Sequence, residues 1–145
     1  MQSNTVKKPL KVYIDENIAP QMAHAFDTVQ AHLNKKEKRH FEVYSIKEIF
    51  GEGATDEEWI PKIGSEKGIV ITQDRRIQQC KHQRELYKSH GVGIIFLKTP
   101  KGGLSFWDMF KHLVNWWDKI KSLCIKNKPP FAFHQPGLQR NFEKW

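Results

Sequence analysis

The sequence predicts an α/β fold with a central, mainly parallel β-sheet, and three observations predict it. Short β-branched runs alternate with longer stretches whose apolar residues recur at helical spacing. Two of the runs, Val12-Tyr13-Ile14 and Ile69-Val70-Ile71, are apolar at consecutive positions, as in strands covered on both faces. Both then run into acid, Asp15-Glu16-Asn17 in the first and Thr72-Gln73-Asp74 in the second, where Arg75-Arg76 follows. In an open α/β sheet, side chains at the carboxyl ends of strands face the crevice where ligands bind. Two strands that deliver carboxylates to one sheet edge make a metal site the natural expectation.

Taken in order, residues 1–9 are polar and basic and read as a flexible lead-in to a strand over 10–14. Pro20 suits the first turn of a helix, with Met22, Phe26, Val29 and Leu33 as its buried stripe. The basic turn 34–40 is either a solvated loop or a phosphate-contacting edge. A second strand follows over 41–46, then a glycine-bearing loop over 49–54. Thr55-Asp56-Glu57-Glu58 matches a capping box, with Thr55 as N-cap and Glu58 reaching back. Pro61 lacks an amide and clashes with the carbonyl four residues earlier. The expectation is therefore a short turn over 56–60 and a kinked or restarted helix to Glu66.

The third strand spans 69–72, and Ile77, Cys80, Leu86 and Tyr87 predict a helix over 76–89 that stops near Gly91. A fourth strand covers 93–97. Ser105 opens the clearest helix through a second capping box. Its apolar stripe is Phe106, Met109, Phe110, Leu113, Trp117, Ile120 and Cys124, while Lys111, His112, Asp118, Lys119 and Lys121 take the wet side. Such a stripe reads as core rather than as a cofactor box. Pro129-Pro130 ends that segment, and 131–134 forms a last strand turned at Pro136-Gly137. The apolar strands 10–14, 69–72 and 93–97 belong at the sheet centre.

A chain of 145 residues fits one domain, 1–145, and shows no internal repeat. Its 24 Lys and Arg against 16 Asp and Glu leave a net charge of +8, which favours a polyanionic partner, nucleic acid before anionic membrane. No apolar run approaches membrane-spanning length, and the N-terminus carries no hydrophobic signal core. Cys80 and Cys124 lack metal-ligand spacing and read as free thiols. A cytoplasmic protein away from membranes fits these features. The histidines are scattered without ligand spacing, which argues against zinc.

Three acids fall where chemistry is expected. Asp15 and Asp74 follow central strands and Asp56 starts a helix. Magnesium and manganese take oxygen ligands, typically one or two carboxylates with waters and substrate phosphates. Clustered carboxylates repel one another unless a cation or proton intervenes. Thr72 offers a hydroxyl to a water or a phosphate oxygen. Asp56 alone is explained as well by helix capping. The metal reading rests on the three acids together in a basic chain.

Three segments, Tyr13-Ile14-Asp15-Glu16-Asn17, Thr55-Asp56-Glu57-Glu58-Trp59-Ile60-Pro61 and Val70-Ile71-Thr72-Gln73-Asp74-Arg75, resemble the PIN-like domains of VapC-type toxins. The resemblance covers nearly the whole chain and implies a three-layer PIN-like sandwich. It implies a magnesium- or manganese-dependent endoribonuclease, the toxin of a toxin–antitoxin pair, with catalytic acids at Asp15, Asp56 and Asp74 and Thr72 beside them. It also implies a cognate antitoxin bound beside the acidic pocket, and homodimers, for which the aromatic helix and the Trp145 end offer a surface. Glu16, Glu57 and Glu85 are further candidate metal ligands. Arg75 and Arg76 would clamp RNA phosphates. Lys81, His82 and Arg84 either track the RNA backbone or form a solvated cationic face. Arg76 stands where many PIN-like relatives carry another acid, which favours an alternative: a noncatalytic RNA-binding or regulatory module on the same fold. A phosphoacceptor domain built on Asp15-Glu16 and Lys98 is a third reading.

Overall fold

Side chains alternate across each strand, and both faces of the sheet they form are apolar. In this computed structural model, which describes residues 8–74 and 80–135 together with the backbone of 143–144, β1 (Leu10–Ile14) sends Val12 and Ile14 to one face and Tyr13 to the other. β2 (Phe41–Ser45), β3 (Ile69–Thr72), β4 (Gly93–Phe96) and β5 (Phe131–His134) divide in the same way. The strand order is β2-β1-β3-β4-β5-β6. The first five strands are parallel, and the two-residue β6 (Glu143–Lys144) adds antiparallel to the edge. The three apolar strands β1, β3 and β4 are central, as their composition predicts. The chain order reverses between β1 and β3, so the crevice that such sheets use for ligands opens there.

Helices cover both faces, which gives the three layers. α1 (Pro20–Leu33) and α5 (Phe106–Lys126) pack Met22, Phe26, Leu113, Trp117 and Ile120 against one side. On the other side α2 (Ile46–Phe50), α3 (Asp56–Ser65) and α4 (Lys81–Ser89) contribute Ile46, Trp59, Ile60, Ile63 and Tyr87. Gly64 lets α3 lie against the chain after α4, since a Cβ there would meet the His90 carbonyl oxygen at 2.0 Å. No described helix is long and apolar enough to cross a membrane. Cys80 and Cys124 are free thiols, one exposed and one buried.

Several local expectations are corrected. Strand β2 stops at Ser45, because its hydroxyl accepts the Glu48 N–H at 3.3 Å and caps α2, a helix the sequence reading missed. Pro61 does not break α3. It lies on the exposed side, where the carbonyl it leaves unpaired meets solvent, while Trp59, Ile60 and Ile63 hold the helix to the sheet on both sides of it. Thr55 occupies the N-cap position without a side-chain capping bond, whereas Ser105 does accept the Asp108 N–H at 3.2 Å. Cys80 is extended and precedes α4 instead of belonging to it. The expected earlier part of that helix, with Arg76 and Ile77, lies outside the described residues, as do residues 1–7, the Pro136-Gly137 turn and Trp145.

Phe106, read as part of the apolar stripe, is 45% exposed, and two further assignments of helix faces are reversed. Val29 is 55% exposed, and Gln30 takes the buried place at 0%. Lys121, placed on the wet side by its charge, is buried as well. Gln30 explains both. Its Oε1 accepts from Trp117 Nε1 at 3.2 Å and from Lys121 Nζ at 3.3 Å. Its amide nitrogen donates to Asn34 Oδ1 at 2.9 Å and to Glu37 Oε1 at 2.8 Å, so its full hydrogen-bonding capacity is used. Lys121 closes the network on Glu37 at 2.9 Å. Asn34 in turn pairs with both the N–H and the carbonyl of Phe41, fixing where β2 starts. The polar turn 34–40 is thus a structural clasp between α1, β2 and α5.

Desolvation pushes the Glu37 carboxyl up, but the hydrogen bonds from Lys121 and Gln30 outweigh it and hold the group below the ordinary carboxylate range. A depressed carboxylate contributes stability above its unfolded pKa and loses it as pH falls through the folded value. Lys121→Ala should therefore lower the unfolding free energy at pH 7 by about 2 kcal/mol. That is less than the roughly 3–5 kcal/mol of a fully buried pair, because Glu37 remains partly in solvent. The gap between wild type and variant, read by urea denaturation, should narrow in acid.

Candidate functional site

The site grows out of the β1–β3 register. Ile14 pairs with Ile71, so the next residues, Asp15 and Thr72, emerge side by side at the carboxyl edge. The Asp15 N–H still bonds the Ile71 carbonyl at 3.0 Å, which keeps the chain in strand geometry as the carboxylate appears. Thr72, fully buried, donates its hydroxyl to Asp15 Oδ2 at 2.5 Å. Asp15 Oδ1 accepts the Glu16 N–H at 2.7 Å. The same Thr72 oxygen accepts the Asp74 N–H at 3.0 Å, so one hydroxyl links the two strand-end acids. Asp15 is only 7% exposed. Burial pushes its carboxyl above the usual range; the bonds from Thr72 and the Glu16 amide oppose that, and the charges of Asp74 and Glu16 reinforce it.

The third acid comes from the opposite wall. Asp56, the first residue of α3, accepts a hydrogen bond from Gln83 Nε2 of α4 at 2.9 Å. One turn further along α4, Tyr87 is 1% exposed and packs its ring on Trp59 at a centroid distance of 5.6 Å. Burial raises the Tyr87 phenol far above its ordinary value, and the charges that add to this are Asp56, Asp15 and Asp74. Of the three acids, Asp56 is bonded to α4, through Gln83. Asp74 also opens into a crevice of about 420 Å³ with Asn17, Gln73 and the loop Thr99, Pro100 and Lys101.

The other expected site residues are more exposed than Asp15. Glu16 is exposed, and its carboxylate accepts the Gly53 N–H at 3.2 Å, tethering the loop before α3. Glu57 is exposed. Glu85 is exposed too and lines a cavity of about 470 Å³ with Lys81, Arg84, Tyr87 and Lys88. Arg75 and Arg76 lie outside the described residues. Sequence reasoning did not find Gln83 and Tyr87. The available signal was their spacing of four, which puts an amide and a phenol on one helix face.

Beside Lys101, which lines the crevice, the groups at the strand ends offer oxygens: the Asp15 and Asp74 carboxylates and the Thr72 hydroxyl between them. That chemistry fits a hard divalent cation such as magnesium or manganese. A buried carboxylate with a second acid beside it also calls for a cation or a proton. Among the described residues, no three Asp, Glu, His or Cys side chains converge tightly enough to grip an ion directly.

Fold and site together define a parallel α/β domain with an acidic crevice at the point where strand order reverses. A profile described as PIN like domain matches residues 10–99, which contain Asp15, Asp56, Thr72 and Asp74. The chain belongs to this PIN-like family, and its fold is of the nuclease type. No curated protein and no solved structure is significantly similar to it.

A raised carboxyl favours the folded state while it is protonated and disfavours it once pH climbs past its unfolded value. In the presence of a chelator, Asp15→Asn should therefore melt higher than wild type at pH 8. The advantage should fade as the pH falls to the ordinary carboxylate range, as followed by circular dichroism.

Proposed function

We propose that the chain is a magnesium- or manganese-dependent endoribonuclease that hydrolyses RNA phosphodiester bonds, acting in the cytoplasm as the toxin of a type II pair like the VapC-type proteins it resembles. The observation that carries this reading is the buried Asp15 carboxylate, bonded by the Thr72 hydroxyl that also accepts the Asp74 N–H, in a chain of the PIN-like family. Asp15, Asp56 and Asp74 would hold the cation. When bound, it would acidify a water and offset negative charge on the phosphoryl oxygens. Thr72 aims Asp15 and holds the backbone of Asp74.

Positive charge flanks the crevice. Lys101 stands on its rim, and Lys81, Arg84 and Lys88 line the neighbouring cavity along α4. With Arg75 and Arg76 directly after Asp74 in sequence, they supply the attraction an RNA backbone needs. A small antitoxin that covers the crevice completes the toxin reading. Trp107, Val114 and Ile125, all more than half exposed on α5, offer an apolar surface for a homodimer.

With manganese, the purified protein should cut single-stranded RNA. Asp15→Asn and Asp74→Asn should each slow cutting roughly a hundredfold or more with an unchanged far-ultraviolet spectrum. Undiminished cutting by both variants would contradict the assignment. RNA left intact by the wild type but bound with steep salt dependence would favour the noncatalytic module.

A further inference from the structure

Between α4 and the edge of the sheet the apolar core is not fully covered. A cavity of about 470 Å³ opens there beside the start of β5, within the roughly 300–1,000 Å³ typical of ligand sites. Val92 and Ile94, both buried, lie at its base. Ile94 pairs in register with Ala132 of β5, which is half-buried, and Pro130 nearby is exposed. The opposite wall is charged. Lys81, Arg84 and Lys88 follow at spacings of three and four along α4, which puts them on one helix face. The two lysines, separated by roughly 10 Å of helix, are exposed, and Arg84 between them is half-buried. Glu85 is the single acid in the lining.

Cations alone would suit any polyanion, and apolar walls alone would suit any greasy group. Together they fit a ligand with a flat, weakly polar body and negative charge on either side of it. One nucleotide within a single RNA strand has that form, a base flanked by two phosphates. We infer that this trough is a subsite for one nucleotide of single-stranded RNA, its base against Ile94, Pro130 and Ala132 and its flanking phosphates at Lys81 and Lys88. Arg84, between the lysines, adds a planar cation of the kind on which unstacked RNA bases rest. An acidic peptide would satisfy the lysines and leave the apolar wall uncovered. The inference rests on the RNA reading above and names where the strand is held, not where it is cut. The helix that borders the trough also braces one of the acids, since Gln83 bonds Asp56 at 2.9 Å. Carboxylates repel phosphate unless a cation intervenes, whereas the trough attracts it with or without one.

The test titrates a short single-stranded oligouridylate in chelator, so that neither metal nor cutting enters. A polyphosphate of similar charge and an oligoglutamate serve as comparisons. In isotope-labelled protein the RNA should move the methyl resonances of Ile94 and Ala132, and the two comparison anions should leave them in place. Lys81→Gln combined with Lys88→Gln, both at exposed positions, should weaken RNA binding about tenfold and lower its log–log salt slope by roughly 1.4, the share of two phosphate contacts. RNA that does not bind, that binds with both methyls unmoved, or that binds the double variant equally well overturns the inference. Polyphosphate or oligoglutamate that shifts the methyls as RNA does also overturns it, in favour of a general anion site or a protein partner. Manganese-dependent cutting that survives such a failure keeps the nuclease reading and removes only the subsite. RNA held in the trough of a protein that cuts nothing keeps the subsite and removes the nuclease reading.

Discussion

The hydrogen bond from Thr72 to Asp15 is the constraint on which the site depends. Parallel register between β1 and β3 places a hydroxyl and a carboxylate side by side at the carboxyl edge, at the point where strand order reverses. A carboxylate so deeply buried is unfavourable in its charged form, and the two bonds it accepts only partly offset that. Asp74 is attached to the same hydroxyl through its backbone, so a second negative charge cannot easily move away. Burial thus leaves the Asp15 charge only partly stabilised by the bonds from Thr72 and the Glu16 amide, and a buried carboxylate of this kind favours a proton or a cation.

The two faces of the sheet divide the work. On the α1–α5 face the polar groups are satisfied internally: Gln30 makes four hydrogen bonds, and Lys121 and Glu37 complete the clasp. Among the described residues, the buried side-chain atoms without a partner are Gln73 Oε1, Gln83 Oε1 and Tyr87 Oη. The apolar packing of Trp59 and Tyr87 beneath them holds α3 and α4 in place, so Asp56 and Gln83 meet across the crevice wall.

Much of this was legible in the sequence where the signal is local. β1, β3 and β5 end where β-branched and aromatic runs end, and the acids after β1 and β3 announce their own position. What escaped needed distant partners. Ser45 looks like a strand residue until its hydroxyl is seen capping α2. Pro61 reads as a break until the apolar residues beside it are seen to be anchored. Val29 and Gln30 exchange roles, and Lys121 turns inward, because Trp117 and Glu37 supply partners from far along the chain. Tyr87 reads simply as an apolar helix residue, which its ring is. Nothing in the sequence shows that its hydroxyl is buried without a partner.

Anomalous diffraction at the manganese edge from soaked crystals tests the central claim most directly. The account predicts a peak at the carboxylates of Asp15 and Asp74. Saturating manganese that leaves these carboxylates without a peak, or an ion seated elsewhere on the molecule, would contradict it.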